Sequence, residues 1–217
     1  MDAAPPVPAI FLVGDRAFVW DKSSARALVD KRIMPSPVGV RQFVNRAPDN
    51  NLPCTLMPEQ ATVTMRRGLA RVFAGHPQSS TGSDAAGGSP HASLGSGQLE
   101  LGPGTLGGHW SFPATAEEAA RLAVYEDLWE RGHHVTGGGI YGADFMVYTG
   151  HPFAAHSAAG VLVTLSGGPE LGACLTPAFV RLQHSVAKRA VLAIVTGSVH
   201  RGDSGGGSDS GGQGGGG

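Results

Sequence analysis

The first 76 residues alternate short apolar runs with turn and capping signals, a pattern typical of a small α+β module. Apolar residues at 9–13 and 17–20 flank a Gly-Asp pair, which predicts a β-hairpin. Asp21 follows and is placed to cap a helix that runs to about Arg32. The pattern then predicts a strand at 52–57, a helix from Pro58 to Arg67 and a closing strand at 70–74.

A second periodic region, between residues 109 and 200, alternates helices with strands and predicts a small α/β domain around a mixed sheet. Thr115 and Glu118 have the spacing of a capping box at the start of a helix, and Gly132 is placed to end it. The pattern next predicts strands at 133–136, 144–148, 158–165 and 191–195, with a helix from Thr176 and Pro177 to about His184.

The central strand of this region, at 144–148, has strict two-residue alternation. Phe145 and Val147 are therefore expected to point to one side of the sheet, and Met146 and Tyr148 to the other. A Thr-Gly-His-Pro turn ends the strand. Tyr148 thus stands at a strand end, where side chains often reach a cleft.

Two more residues with reactive side chains stand beside predicted strands. His156 opens the apolar run that follows the turn, so it is expected to face the same cleft as Tyr148. Lys188 lies directly before the last predicted strand and is the only lysine after Lys31.

Glycine is distributed very unevenly and marks the boundaries between segments. Of the 34 glycines, nine lie in 77–108 and ten in 202–217. Both stretches lack a periodic apolar pattern, which predicts a disordered linker at 77–108 and a disordered tail at 201–217. The predicted domains are then an N-terminal α+β module at 1–76 and a second domain at 109–200.

The net charge of −1 hides a difference between the two predicted domains. Residues 1–76 carry ten Lys/Arg and six Asp/Glu, whereas residues 109–200 carry five and seven. Nucleic-acid binding draws on basic surface. If the chain acts on nucleic acid, its N-terminal part or other subunits are expected to supply much of the attraction.

The chain shows no membrane or secretion signal, and its cysteines suggest a reducing compartment. There is no apolar run of the ~18 residues that a membrane span needs, and the N-terminus lacks a basic segment before an apolar one. Cys54 and Cys174 lie far apart without metal-type spacing. We therefore expect no membrane insertion and a cytosolic or nuclear location.

The order and spacing of these motifs resemble the tRNA-splicing endonuclease family, in particular its eukaryotic catalytic subunit that cuts the 3′ splice site. The resemblance rests on Tyr141-Gly-Ala-Asp-Phe-Met-Val-Tyr148, on a histidine eight residues later and on Ser185-Val-Ala-Lys188. It extends over about 9–74 and 115–196. It implies a restriction-endonuclease-like fold for the second domain, precursor tRNA as substrate, partner subunits and a nuclear location.

The resemblance also implies a role for each candidate residue: Tyr148 as base, His156 as acid and Lys188 as electrostatic stabiliser. RNA supplies its own nucleophile, the 2′-hydroxyl, so base, acid and cation suffice. An ordinary imidazole titrates near ~6.5 and suits the acid, whereas an ordinary tyrosine, with a pKa near ~10, needs a neighbouring cation to serve as base. The implied products are 2′,3′-cyclic phosphate and 5′-hydroxyl ends, with no cofactor and no metal.

Several alternatives remain open at this stage. His151 competes with His156 for the acid role, although its Gly-His-Pro context indicates a surface turn. The family's last strand is followed by a further strand, whereas residues from Thr196 onward become glycine-rich, so that strand is expected to be missing. A non-catalytic structural subunit of the same complex is therefore the alternative function.

Overall fold

A computed structural model shows two β-sheets, each covered by helices. It describes residues 7–39, 52–77, 98–102, 108–166 and 175–196. The predicted tail at 201–217 and most of the predicted linker at 77–108 lie outside the described residues.

The N-terminal sheet has five strands in the order β3-β4-β2-β1-β5. Strand β1 pairs with β5 in parallel, and the other pairings are antiparallel. The predicted hairpin, helices and strands of this region are all present. Their bounds are β1 Ala9–Val13, β2 Arg16–Val19, α1 Lys22–Asp30, β3 Ser36–Pro37, β4 Cys54–Leu56, α2 Pro58–Arg66 and β5 Arg71–Ala74.

Local capping accounts for where α1 begins. The Asp21 carboxylate accepts a hydrogen bond of 2.8 Å from the backbone N–H of Ser24, which satisfies one of the free donors of the first turn. Ala25, Leu28 and Val29 are buried beneath the helix. The helix therefore packs on the sheet along one apolar stripe, as its sequence predicts.

A segment within the predicted linker is part of the N-terminal sheet. Phe73 of β5 forms an antiparallel bridge with Glu100, and Arg71 donates two hydrogen bonds, of 2.8 and 2.6 Å, to the Glu100 carboxylate. Leu101 is buried in the N-terminal core. The interpretation of 77–108 as linker therefore does not hold at residues 98–102, which continue the sheet.

The C-terminal sheet has four strands in the order β6-β7-β8-β9. β6, β7 and β8 pair antiparallel, whereas β8 and β9 pair in parallel, so the predicted mixed sheet is confirmed. None of the helices in the described part of the chain has the length and apolar character needed to cross a bilayer. The element bounds are α3 Ala116–Glu130, β6 His134–Gly137, β7 Phe145–Tyr148, β8 Ala159–Leu165, α4 Leu175–Ser185 and β9 Arg189–Val195.

The two sides of this sheet are covered by different helices. Phe145 and Val147 lie in the core beneath α3, which defines the α3 face. Met146 and Tyr148 pack with Phe179 of α4, which defines the α4 face. The alternation predicted for β7 is therefore confirmed.

Helix α4 contacts the sheet through a narrow stripe. Of its described side chains, only Phe179 and Gln183 are buried, while Val180 and Leu182 are exposed. The Gln183 amide donates a 2.7 Å hydrogen bond to the Tyr141 carbonyl. A Cβ at Gly160 of β8 would lie 2.3 Å from the Gln183 side-chain oxygen, so only glycine leaves room for this buried amide.

Helix α2 contributes to the cores of both sheets. Val63 lies in the core under α3, whereas Ala61 lies in the N-terminal core. The buried Gln60 amide donates hydrogen bonds of 3.1 Å to the Met34 carbonyl and 3.3 Å to the Val135 carbonyl. The two predicted domains are therefore packed together through one shared helix.

Candidate active site

Strand directions bring three chain segments to one end of the C-terminal sheet. Val147 near the end of β7 pairs with Ala159 at the start of β8, and Ala159 pairs with Arg189 at the start of β9. Since β7 runs opposite to β8 and β9, its C-terminal end meets their N-terminal ends. We call this end of the sheet, marked by Tyr148, Ala159 and Arg189, the Tyr148 end.

Tyr148 is the last residue of β7 and lies on the α4 face. Its half-buried side chain packs against the cluster that contains Met146 and Phe179, to which Tyr141 also belongs. The ring is thus held by apolar contacts at the sheet end.

Lys188 occupies the turn between α4 and β9 at the same end. Its backbone N–H donates to the Gln183 carbonyl at 2.9 Å, which fixes the turn to the end of α4. Its ammonium Nζ lies 3.4 Å from the Ser157 carbonyl oxygen and 5.8 Å from the Tyr141 ring centroid. The ammonium therefore lies beside the segment that leads into β8 and beside a ring in the Tyr148 cluster.

His156 is exposed in the connection from β7 to β8. The next residue, Ser157, is buried and carries the carbonyl that Lys188 contacts. The N–H of Ala158 donates to the Val147 carbonyl at 2.8 Å. The His156 imidazole is thus exposed to solvent. The backbone that follows it is held by β7, through Val147, and by Lys188.

His151 lies on the other side of Tyr148, towards β6. Its ring centroid is 5.4 Å from that of His134 and 4.9 Å from that of Phe153, and His134 pairs directly with Tyr148 across the β6–β7 ladder. Burial, and then the neighbouring His151, lowers the pKa of His134 below its ordinary value. His151, one of the two histidines that compete for the acid role, therefore lies beside the β6 residue that pairs with Tyr148.

An ion-pair network beneath the sheet was not apparent from the sequence. Arg121 of α3 donates to Glu59 of α2 at 2.9 Å and to Asp144, just before β7, also at 2.9 Å. Neither Arg121 nor Glu59 was expected from the sequence to have a role. The pattern offers no signal for this network, because its members are 62 and 23 residues apart.

Charge is segregated between the two helices of the domain. The described residues 175–196, which include α4 and β9, contain Arg181, Lys188 and Arg189 but no acidic residue. The acidic residues are concentrated on α3, at Glu117, Glu118, Glu126, Asp127 and Glu130. The formal excess of acid in this domain is therefore located on the helix across the sheet from Tyr148.

The candidate site is distinct from the cavity between the N-terminal hairpin and the start of α3. That cavity measures about 400 Å³, and its walls include Asp15, His109, Trp110, Phe112 and Glu118 but none of the three candidate residues. Within the described ranges, no three His, Cys, Asp or Glu residues come together as a metal-binding group.

Comparison with known proteins finds a similarity for the C-terminal domain. Residues 119–201 match the family model of the tRNA intron endonuclease, catalytic C-terminal domain. This range holds β6 to β9 and all three candidate residues.

Archaeal tRNA-splicing endonucleases are among the proteins that this chain resembles. The tRNA-splicing endonuclease of Saccharolobus solfataricus is 44% identical over 72 residues, which cover 33% of this chain and 39% of that protein. The tRNA-splicing endonuclease of Saccharolobus islandicus gives the same values. That of Sulfurisphaera tokodaii is 40% identical over 73 residues, which cover 34% of this chain and 40% of that protein. The similarity thus spans about two fifths of the length of each relative.

Proposed function

We propose that this chain is a catalytic subunit of a tRNA-splicing endonuclease that cuts precursor tRNA at an intron–exon junction, the 3′ splice site. The similarity of residues 119–201 to a tRNA intron endonuclease catalytic domain supports this assignment. The observation that carries it is the meeting of the Tyr148 strand end, the segment after His156 and Lys188 at one end of the sheet.

In the proposed reaction, the 2′-hydroxyl oxygen attacks the adjacent phosphorus while the bond from phosphorus to the 5′-oxygen breaks. Tyr148 takes the proton from the 2′-hydroxyl, and the His156 imidazolium gives a proton to the departing 5′-oxygen. The products are a 2′,3′-cyclic phosphate and a 5′-hydroxyl. Each acid–base group of this kind typically contributes about 10²–10⁴-fold to the rate.

Lys188 has two proposed effects on this reaction. Its ammonium favours the negative charge of a nearby tyrosinate and of the phosphorane oxygens. Its anchorage supports this role, because the Ser157 carbonyl contact and the Tyr141 ring hold the ammonium at the sheet end. A preorganised cation loses little freedom when the phosphate arrives.

The test is cleavage of an intron-containing precursor tRNA by the complex assembled with its partner subunits. We expect cyclic phosphate and 5′-hydroxyl ends at one junction, in excess chelator as well as with magnesium, provided that the RNA stays folded. Products with 5′-phosphate ends, or cleavage that chelator abolishes and magnesium restores, would exclude this chemistry. A complex that contains the chain but cuts neither junction would exclude the catalytic role.

A non-catalytic structural subunit is the alternative, and the exposure of β9 favours it. Val191, Leu192 and Ile194 of this strand are exposed, which suits pairing with another protein chain. A complex that keeps full activity when Tyr148→Phe and His156→Ala are combined would support the structural role. The catalytic assignment instead expects loss of cleavage with unchanged assembly.

We further propose that the chain works in the nucleus and is a poor nuclease without its partners. Few cations are available on the candidate domain, whereas RNA binding draws on several phosphate contacts. Equal cleavage rates with and without partner subunits at low salt would favour a self-sufficient ribonuclease. A tagged chain found only in the cytoplasm would contradict the nuclear location.

A further inference from the structure

A buried carboxylate of the N-terminal module is connected to the strand that carries Tyr148. Glu59 of α2 has only 1% of its side chain exposed and accepts a 2.9 Å hydrogen bond from Arg121 Nε. The same guanidinium donates through Nη1 to Asp144 Oδ1 at 2.9 Å. Arg121 thus joins α2, α3 and the start of β7 through one side chain.

Glu59 depends on this arginine for its charge compensation. Its second oxygen, Oε2, is buried and has no hydrogen-bond partner among the described residues. An unpaired buried carboxylate is strongly unfavourable. The position of the Arg121 guanidinium is therefore fixed from the N-terminal side.

Asp144, the second partner of Arg121, fixes the geometry of the strands. Its Oδ2 accepts from the Val163 N–H at 2.8 Å, and its own N–H donates to the Val161 carbonyl at 2.9 Å. The Gly138 N–H donates to the Asp144 carbonyl at 3.0 Å. One residue thus sets where β7 begins relative to β8 and to the end of β6.

The register set by Asp144 determines where Tyr148 lies. Tyr148 is the last residue of β7, which begins one residue after Asp144, and a one-residue slip of β7 would move its ring from the α4 face to the α3 face. The Arg121 guanidinium carbon also lies 5.5 Å from the centroid of the Phe145 ring, the first residue of β7.

We propose that Arg121 is a positioning residue for the candidate active site, and that it transmits the placement of the N-terminal module to Tyr148 through Asp144. This inference rests on the proposed function. The N-terminal module then has a role in catalysis as well as in folding.

Arg67 provides a matched control. It also joins α2 to α3, through Glu126 at 2.7 Å and through Glu130, but it is exposed and does not reach β7. Arg67→Gln and Arg121→Gln therefore each remove one arginine bridge between the same two helices. Only Arg121→Gln removes the link between Asp144 and the two helices.

The experiment compares these two variants and Arg121→Lys in the full-length chain. Hydrogen exchange of the β7 and β8 amides is measured on the chain, and steady-state cleavage of precursor tRNA is measured on the complex assembled with its partners. We expect faster β7 exchange in Arg121→Gln, and a fall in kcat of at least tenfold with KM little changed. Arg121→Lys should recover part of both effects, and Arg67→Gln should behave like the wild type.

The two readouts separate the inference from the proposed function. If the wild-type complex cuts no precursor tRNA, the proposed function fails, and the exchange data still decide whether Arg121 sets the β7 register. Equal β7 exchange in Arg121→Gln and Arg67→Gln would overturn the inference. A lower kcat in Arg121→Gln that accompanies loss of assembly would also overturn the inference. The same loss of kcat in Arg121→Gln and Arg67→Gln would overturn it as well.

Discussion

The two faces of the C-terminal sheet are covered by helices to different extents. On the α3 face, a 15-residue helix covers a core in which Phe145 and Tyr125 are fully buried. On the α4 face, an 11-residue helix rests on two buried side chains and leaves Val180 and Leu182 exposed. The closed face supplies most of the packing energy, whereas the open face leaves room for a substrate or a partner.

Charge follows the same division. Most acidic residues in the described part of the domain lie on α3, while the described part of α4 and β9 contains cationic residues but no acidic ones. Phosphate approaching from the α3 side would meet repulsion, and phosphate approaching the Tyr148 end from the α4 side would not. A formal charge summed over the domain therefore says little about how RNA approaches this site.

The largest expected effect comes from removing the proposed acid on the open side. His156→Ala should lower single-turnover cleavage at one junction by about 10²–10⁴-fold, because the 5′-oxygen then leaves without a proton. Assembly should be unchanged, since the side chain is exposed. His151→Ala is the control and should have a small effect; the opposite ranking would assign the acid role to His151.

The next test compares the packing of the two faces. Phe145→Ala should lower the free energy of unfolding by about 3–5 kcal/mol, the usual cost of removing a fully buried phenylalanine. Phe179→Ala should cost less, because α4 has a narrower contact with the sheet. Chemical denaturation of both variants measures the difference. Equal losses would show that the faces are equally important for stability.

A third test addresses the charge difference. Arg181→Gln on α4 should weaken precursor tRNA binding and reduce the magnitude of the salt slope by about one, as expected when a single phosphate contact is lost. Arg131→Gln removes another exposed cation, which pairs with Asp127 at the end of α3, and should leave the slope unchanged. Binding isotherms at several salt concentrations provide the measurement. Equal salt slopes for the two variants would contradict an approach of the RNA from the α4 side.

The smallest expected effect is a pH dependence of folding stability that originates at His134, the β6 residue that pairs with Tyr148. Because burial lowers the pKa of His134, the unfolded chain takes up a proton at this residue more readily than the folded chain. Stability should therefore decrease as the pH falls below about 6.5, the ordinary histidine value, towards the lower folded value. His134→Gln should reduce this dependence in thermal unfolding measured between about pH 7.5 and 5. An unchanged dependence would place its origin elsewhere.

Short-range patterns predicted most of the fold. The alternation of β7 correctly separated Phe145 and Val147 from Met146 and Tyr148, because a strand between two covered faces shows its register in its own sequence. The Thr115–Glu118 capping box was confirmed, with a 3.2 Å bond from the Glu118 N–H to the Thr115 hydroxyl. The catalytic assignments of Tyr148, His156 and Lys188 remain predictions.

Long-range pairing could not be predicted. Glu59 looked like an ordinary acid in the first turn of a helix, and its burial against Arg121 depends on how two distant helices pack. On α4 the apolar side chains of Val180 and Leu182 are exposed, whereas the polar Gln183 is buried. Its buried position depends on space at Gly160 in another element. The burial of Leu101 was not predicted, because the five residues 98–102 are too few to show a hydrophobic period.

The pairing of residues 98–102 with β5 bears on how freely this chain can change length. The chain leaves the N-terminal sheet after Ala74 and is back on the same strand by residue 99, where the Ala74 N–H donates to the Leu99 carbonyl at 3.0 Å. Ala74 and Leu99 are thus neighbours in the sheet, so the number of residues between them need not change the separation of the two sheets. Doubling the length of a flexible connection between two neighbouring points costs only about 0.6 kcal/mol in closure entropy. Homologues should therefore vary widely in length between these points while their sites keep the same geometry.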